Sequence, residues 1–177
     1  MNILRLELLC TPCRGWPQLR VRLQDSIVHD ITVQQELTYL DVILPRDPGD
    51  TYIEIERWGK TSDNSVVEQG KIQLDQVVEI RKIFIDGVAV PHWFLWNNCT
   101  FRAGSRQQQS LIMVPNGIWR LTFATPIVTH ILDQKILHEA QYNQDYQYPW
   151  SYKFGPGQVA ELAKGLNDAQ ELVKAKL

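Results

Sequence analysis

Residues 51–91, TYIEIERWGKTSDNSVVEQGKIQLDQVVEIRKIFIDGVAVP, restrict the fold more than any other part of the chain. They open on an alternating segment in which Ile53 and Ile55 point one way and Tyr52, Glu54 and Glu56 the other. They close on a second, with Val78, Ile80, Lys82, Phe84 and Asp86 on one face and Val77, Glu79, Arg81, Ile83 and Ile85 on the other. A period of two belongs to strands whose faces meet different surroundings. Asp86-Gly87 then supplies a tight turn, because glycine tolerates positive φ and aspartate bonds its own backbone. The polar stretch 59–70 is too long for a minimal hairpin turn and reads as a loop between strands of different sheets.

The rest of the chain to residue 125 has the same texture. Leu4, Leu6 and Leu8 alternate with Arg5 and Glu7; Leu19, Val21 and Leu23 alternate with Arg20 and Arg22. Residues 27–33 and 37–44 read as further strands, and 45–50 as a Pro- and Gly-bearing loop. Residues 93–101, 111–114 and 118–124 complete the set of strands. Short strands at this frequency predict a mainly β domain over residues 1–125, a jelly-roll-type antiparallel β-sandwich.

After Pro126 the pattern changes. Residues 126–157 read as an aromatic-rich arm, although 127–140 also suits a short helix. Residues 158–177 carry an apolar stripe at helical spacing and read as an amphipathic C-terminal helix. The aromatic side chains Tyr142, Tyr146, Tyr148, Trp150, Tyr152 and Phe154, with Leu162, Leu166, Leu172 and Val173, need a partner surface. That surface is their own sandwich or a neighbouring protein subunit, and these residues are the expected interface.

Composition removes several classes. With 44% apolar and 21% charged residues the chain folds rather than staying disordered. A net charge of −2 argues against nucleic-acid binding, which needs clustered cations. No apolar run approaches the roughly 20 residues of a membrane span. Met1 to Arg5 begins a strand without the basic and apolar regions of a signal peptide, so cytoplasmic synthesis is expected. Three cysteines, an odd number, fit a reducing compartment better than a disulfide framework.

The strand IEIERWGKT, the polar loop and QVVEIRKIFIDGV together resemble the last strands of carbohydrate-binding β-sandwiches. Calcium-dependent xylan-binding modules are similar in their closing D-x-x-V-x-x-I-x-x-x-G strand, matched loosely by Asp75, Val78, Arg81 and Gly87. Similar jelly-roll modules occur in tailed-phage virion proteins. The resemblance covers about half the chain and implies a binding or assembly role, with calcium as a possible cofactor at loop carboxylates. Asp47, Asp50 and Asp63 are the ligands expected for it.

The residues themselves offer further candidates. Trp58 and Trp16, with Asp63, form the expected carbohydrate site, since an indole stacks on the C–H face of a sugar ring. Trp93 and Trp96, three residues apart, would face opposite ways in a strand, with one of them in the core. Cys10-x-x-Cys13 has half the spacing of a zinc knuckle, and Cys99 and His92 complete the set only if the fold brings them together; small thiols in a turn and a strand are the competing reading. His29, His92, His130 and His138 form no motif with acidic residues, and no catalytic signature is present. The reading is therefore a non-catalytic structural or assembly protein on a carbohydrate-binding-like sandwich, a phage virion component. The alternative is a genuine carbohydrate-binding module, calcium-assisted or not. A glycan-acting enzyme with spatially paired carboxylates is the third.

Overall fold

The structure is a computed structural model that describes residues 2–45 and 47–145, with side chains through 137. Thirteen strands and two helices occupy these residues. A sheet of five strands contains β1 (Asn2–Thr11), β4 (Leu37–Leu44), β8 (Val77–Ile85), β9 (Val88–Ala89) and β12 (Ile112–Met113), in the order β12-β8-β1-β4 with β9 beside β8. A sheet of six contains β2 (Gln18–Leu23), β3 (Ser26–Thr32), β5 (Gly49–Trp58), β10 (Cys99–Ala103), β11 (Arg106–Gln108) and β13 (Gly117–Thr125), in the order β11-β10-β13-β5-β2-β3. All pairings are antiparallel. The chain passes repeatedly from one sheet to the other, and the inner faces share one core. The fold is the jelly-roll-type sandwich expected from the alternation.

That core follows from the strand period. Leu4, Leu6, Leu8 and Cys10 of β1 face Leu19 and Val21 of β2, Ile53 and Ile55 of β5, and Trp119, Leu121 and Phe123 of β13, all within one buried cluster. Trp119 is fully buried, and its indole N–H donates to the Ser110 carbonyl at 3.0 Å, so the ring brings no unsatisfied polar atom inside. The compact unit spans residues 1–136.

Four expectations change. The alternation of β8 is not unbroken: Val78 and Ile80 are buried, and so are Ile83 and Ile85. Glu7 pairs with Lys82 while Leu8 pairs with Ile80, so Arg81 is the extra residue of a β-bulge. The bulge resets the phase, which lets both apolar pairs face the core and keeps Lys82 outside. Residues 59–70 are not a simple loop. They hold a 3₁₀ turn at Ser62–Asn64 and β6 (Ser65–Glu68), which pairs with β7 (Lys71–Asp75) in a separate hairpin. Its turn uses positive φ at Gln69 (52°) and Gly70 (76°), the geometry that matches strand twist.

Residues 93–98 are helical, not extended: α1 (His92–Asn98) follows Pro91, whose carbonyl accepts from the Phe94 and Leu95 amides at 3.0 and 3.2 Å. Phe94 and Leu95, adjacent in sequence, are both buried, as one face of a helix permits and the alternation of a half-buried strand does not supply. Finally, α2 (Ile127–Asp145) makes residues 127–145 helical and extends into the stretch read as an arm. Tyr142 lies on it. Tyr146, Tyr148, Trp150, Tyr152, Phe154, Leu162, Leu166, Leu172 and Val173, and the expected helix 158–177, lie outside the described residues.

Candidate functional site

A groove of about 350 Å³ lies where α1, β8 and the segment before β12 meet. Its wall includes Trp96, His92, Glu79, Arg81, Ser110 and Ile112. Each is placed by a local cause. His92 and Trp96 are one helical turn apart, so they share a face, and their rings stack with centroids 6.5 Å apart at 12°. Phe94 and Leu95 bury the other side of α1, and Asn98 ties its end by donating to the Phe94 carbonyl at 2.8 Å. Trp96 is 42% exposed.

Glu79 and Arg81, two residues apart, reach the groove in the same outward phase of β8. Neither makes an ion pair with another described residue. The opposite wall is fixed by Ser110, whose hydroxyl donates to the Ile112 carbonyl at 2.8 Å and accepts from the Ile112 amide at 3.0 Å. The groove therefore combines a flat aromatic face, a carboxylate that accepts and a guanidinium that donates. Such a lining can hold a small ring that has one apolar face and a polar edge.

The residues singled out in the sequence are distributed differently. Trp58 ends β5 on the outer face of the six-stranded sheet, 41% exposed, with the Arg20 guanidinium 5.7 Å from its ring centroid. Trp16 is half-buried and packs against the core, so it is not a free platform. Asp63 is exposed in the 3₁₀ turn. The loops that carry Trp16 and Asp63 adjoin, because the Asn64 side chain donates to the Cys13 carbonyl at 3.1 Å. No ring contact or hydrogen bond joins Trp58, Trp16 and Asp63 among the described residues.

The carboxylates expected to hold calcium do not converge. Asp50 lies near the start of β5 and Asp47 just before it, while Asp63 lies beyond its end. A strand of ten residues rising roughly 3.3 Å per residue places its ends about 30 Å apart. Among the described residues no three His, Cys, Asp or Glu side chains cluster to hold a metal ion. Asp47, Asp50 and Asp63 therefore do not fit one calcium site. The proposed zinc set does not assemble either: Cys10, Cys13 and Cys99 are buried free thiols, and His92 lines the groove. Burial pushes the Cys10 thiol up to about 12, against the pull of Arg57, and raises Cys99 as well. Both stay protonated at neutral pH and are poor nucleophiles and ligands. His29 bonds the Asp41 carbonyl at 2.8 Å, and His130 accepts the Ala124 amide at 2.8 Å while meeting Phe94 edge-on. The His138 side chain lies outside the described ones.

Sequence reasoning passed over Arg57. It follows Ile53 and Ile55 in phase, so it points inward, and it is 1% exposed. Its guanidinium donates to the carbonyls of Met113 (2.7 Å) and Val114, and to the backbone and side-chain oxygens of Gln76 (2.7 and 2.9 Å). Lys60 completes the cluster, pairing with Asp75 and donating to the Val114 carbonyl at 2.9 Å. Burial lowers the Arg57 pKa to about 10, partly offset by Asp75, so it remains a cation at neutral pH.

No protein-family model matches the chain, and no curated protein matches it. Two solved structures are similar. One is a form of vCBM60, described with two families of calcium-dependent carbohydrate-binding modules linked by circular permutation. It has 11% identity and a TM-score of 0.46, and the match covers 68% of this chain and 90% of that one. The other is vCBM60 in complex with galactobiose, at 11% identity and a TM-score of 0.41, covering 69% and 97%. A likeness at this level brings no ligand, metal or site residue to this chain.

Proposed function

We propose that this chain is a non-catalytic binding module that holds a glycan in the Trp96 groove. The observation that carries the reading is an exposed indole, stacked on His92, that lines one concavity together with a carboxylate and a guanidinium. The indole supplies area at little entropic cost, and Glu79 and Arg81 supply hydrogen bonds to hydroxyls. The raised thiol pKa values and the structural engagement of His29 and His130 favour binding over catalysis.

The test is calorimetric titration of neutral oligosaccharides that first score on a glycan array. Trp96→Ala is expected to weaken binding at least tenfold, about 1.4 kcal/mol. Trp58→Ala is expected to change it less than twofold. The reverse pattern moves the site to the outer sheet face, and indifference to both variants ends the glycan reading. Repeating the titration in EDTA separates the two forms of the proposal, since loss of affinity there would mean that a calcium ion takes part.

A second reading is supported by the hairpin of β6 and β7, which exposes Val67, Ile72 and Leu74 by 58–64%. Uncovered apolar strands suit a protein contact. In this reading the chain is a subunit of a larger assembly, such as a phage virion, made in the cytoplasm and built into the particle. Light scattering of the full chain over a range of concentrations tests self-assembly; a monomer throughout would remove it.

A further inference from the structure

The outer face of the six-stranded sheet is a ladder of paired charges. Arg20 meets Asp30 and Glu56, Arg22 meets Glu56, and Arg120 meets Glu54. Arg102 breaks the rule. It is exposed on β10, opposite Gln107 of β11 and Ile118 of β13, and its side chain makes neither an ion pair nor a hydrogen bond among the described residues. Beside it is a cavity of about 130 Å³, lined by Arg102, Arg120, Gln107, Thr100, Ile118 and Glu54.

We propose that this cavity is an anion site selective for a carboxylate. Arg120 is already oriented. Its Nε and Nη2 both donate to Glu54 Oε1, at 2.8 and 2.5 Å, and its guanidinium lies 4.4 Å from the Tyr52 ring centroid. Its Nη1 is free to donate, alongside the whole Arg102 fork, the Gln107 amide and the Thr100 hydroxyl. Two guanidinium groups and one carboxylate leave one positive charge uncompensated in a polar recess. The recess has the volume of about four water molecules, enough for a carboxylate head group. The Glu54 carboxylate on the same wall repels a second negative charge, which disfavours a phosphate dianion. The donors are planar forks, the geometry that a carboxylate matches. The site is separate from the Trp96 groove and does not depend on the reading given to it.

The experiment is an NMR titration of the ¹⁵N-labelled full chain with acetate, glucuronate, glucose and inorganic phosphate at pH 7.5. Acetate and glucuronate are expected to shift the Arg102 and Arg120 side-chain signals saturably, and more weakly as salt is raised. Glucose is expected to leave them unmoved. Arg102→Gln should weaken binding at least tenfold, with Arg102→Lys retaining part of it. Tighter binding of glucuronate than acetate identifies an acidic sugar as the source of the carboxylate; equal binding identifies a free carboxylate group. No saturable shift with either acid, unchanged affinity in Arg102→Gln, or tighter binding of phosphate would overturn the proposal. Neutral glycans and Trp96→Ala test the groove independently, so either site can fail alone.

Discussion

Arg57 carries a full charge into the end of the sandwich and meets carbonyl oxygens there rather than a carboxylate. Such an arrangement depends on every acceptor being used, because a buried polar group left without a partner costs about 1–3 kcal/mol. Arg57→Met keeps most of the apolar stem but takes the guanidinium donor from the Met113 carbonyl and the Gln76 side-chain oxygen, while Lys60 still donates to the Val114 and Gln76 carbonyls. It is expected to cost about 3 kcal/mol or more, read as a lower midpoint in urea with an unchanged slope. The inward direction of Arg57 was legible, since it shares the phase of Ile53 and Ile55. Its partners were not, because they lie 19 to 57 residues away and are mostly backbone atoms. Trp96 was legible as a candidate but not as a platform. Assigning it to a strand gave it the wrong neighbours, and the stack on His92 exists only at helical spacing.

At the scale of elements, the strands that alternate toward the core were readable, and the hairpin of β6 and β7 was not. β1, β2, β4, β5 and β13 alternate because one side meets the core. The hairpin of β6 and β7 buries almost nothing, so burial imposes no pattern on it. It is held instead at its base, where Ser65 donates to Asp75 at 2.6 Å and Lys60 pairs with the same carboxylate. Exposed substitutions usually change stability by no more than about 0.5 kcal/mol. The triple variant Val67→Thr, Ile72→Thr, Leu74→Thr is therefore expected to unfold within about 1.5 kcal/mol of the parent. If the hairpin is a protein contact, the same variant should lose self-association in light scattering while keeping its circular dichroism spectrum. The helix α1 was missed for a different reason. A short apolar run fits both a strand and a helix, and only the joint burial of Phe94 and Leu95 decides between them.

At the scale of the molecule, the two sheets close over one core that contains Cys10 and Cys99, with Cys13 also buried at its margin. Two of these thiols are held protonated by burial, so alkylation needs both exposure and a lowered pKa. In native buffer at pH 7.5, iodoacetamide is expected to leave Cys10 and Cys99 unmodified over hours, and to label them together once denaturant opens the core. Rapid native labelling of either, read by mass spectrometry, would show that the sandwich opens locally. Sandwich class was legible from the sequence because it depends on period and turn chemistry. The pairing of strands, and hence the groove, was not, because it depends on contacts far apart in the chain.

The bulge in β8 also separates what the strand must do from what it carries. Without Arg81, the order Val78, Glu79, Ile80, Lys82, Ile83, Phe84, Ile85 alternates in register from end to end. Arg81 is in effect an insertion of one residue into a complete strand. Its loss would take the guanidinium from the groove and leave every inward side chain of β8 in place, so at this position the length of the chain can vary the ligand surface without disturbing the core.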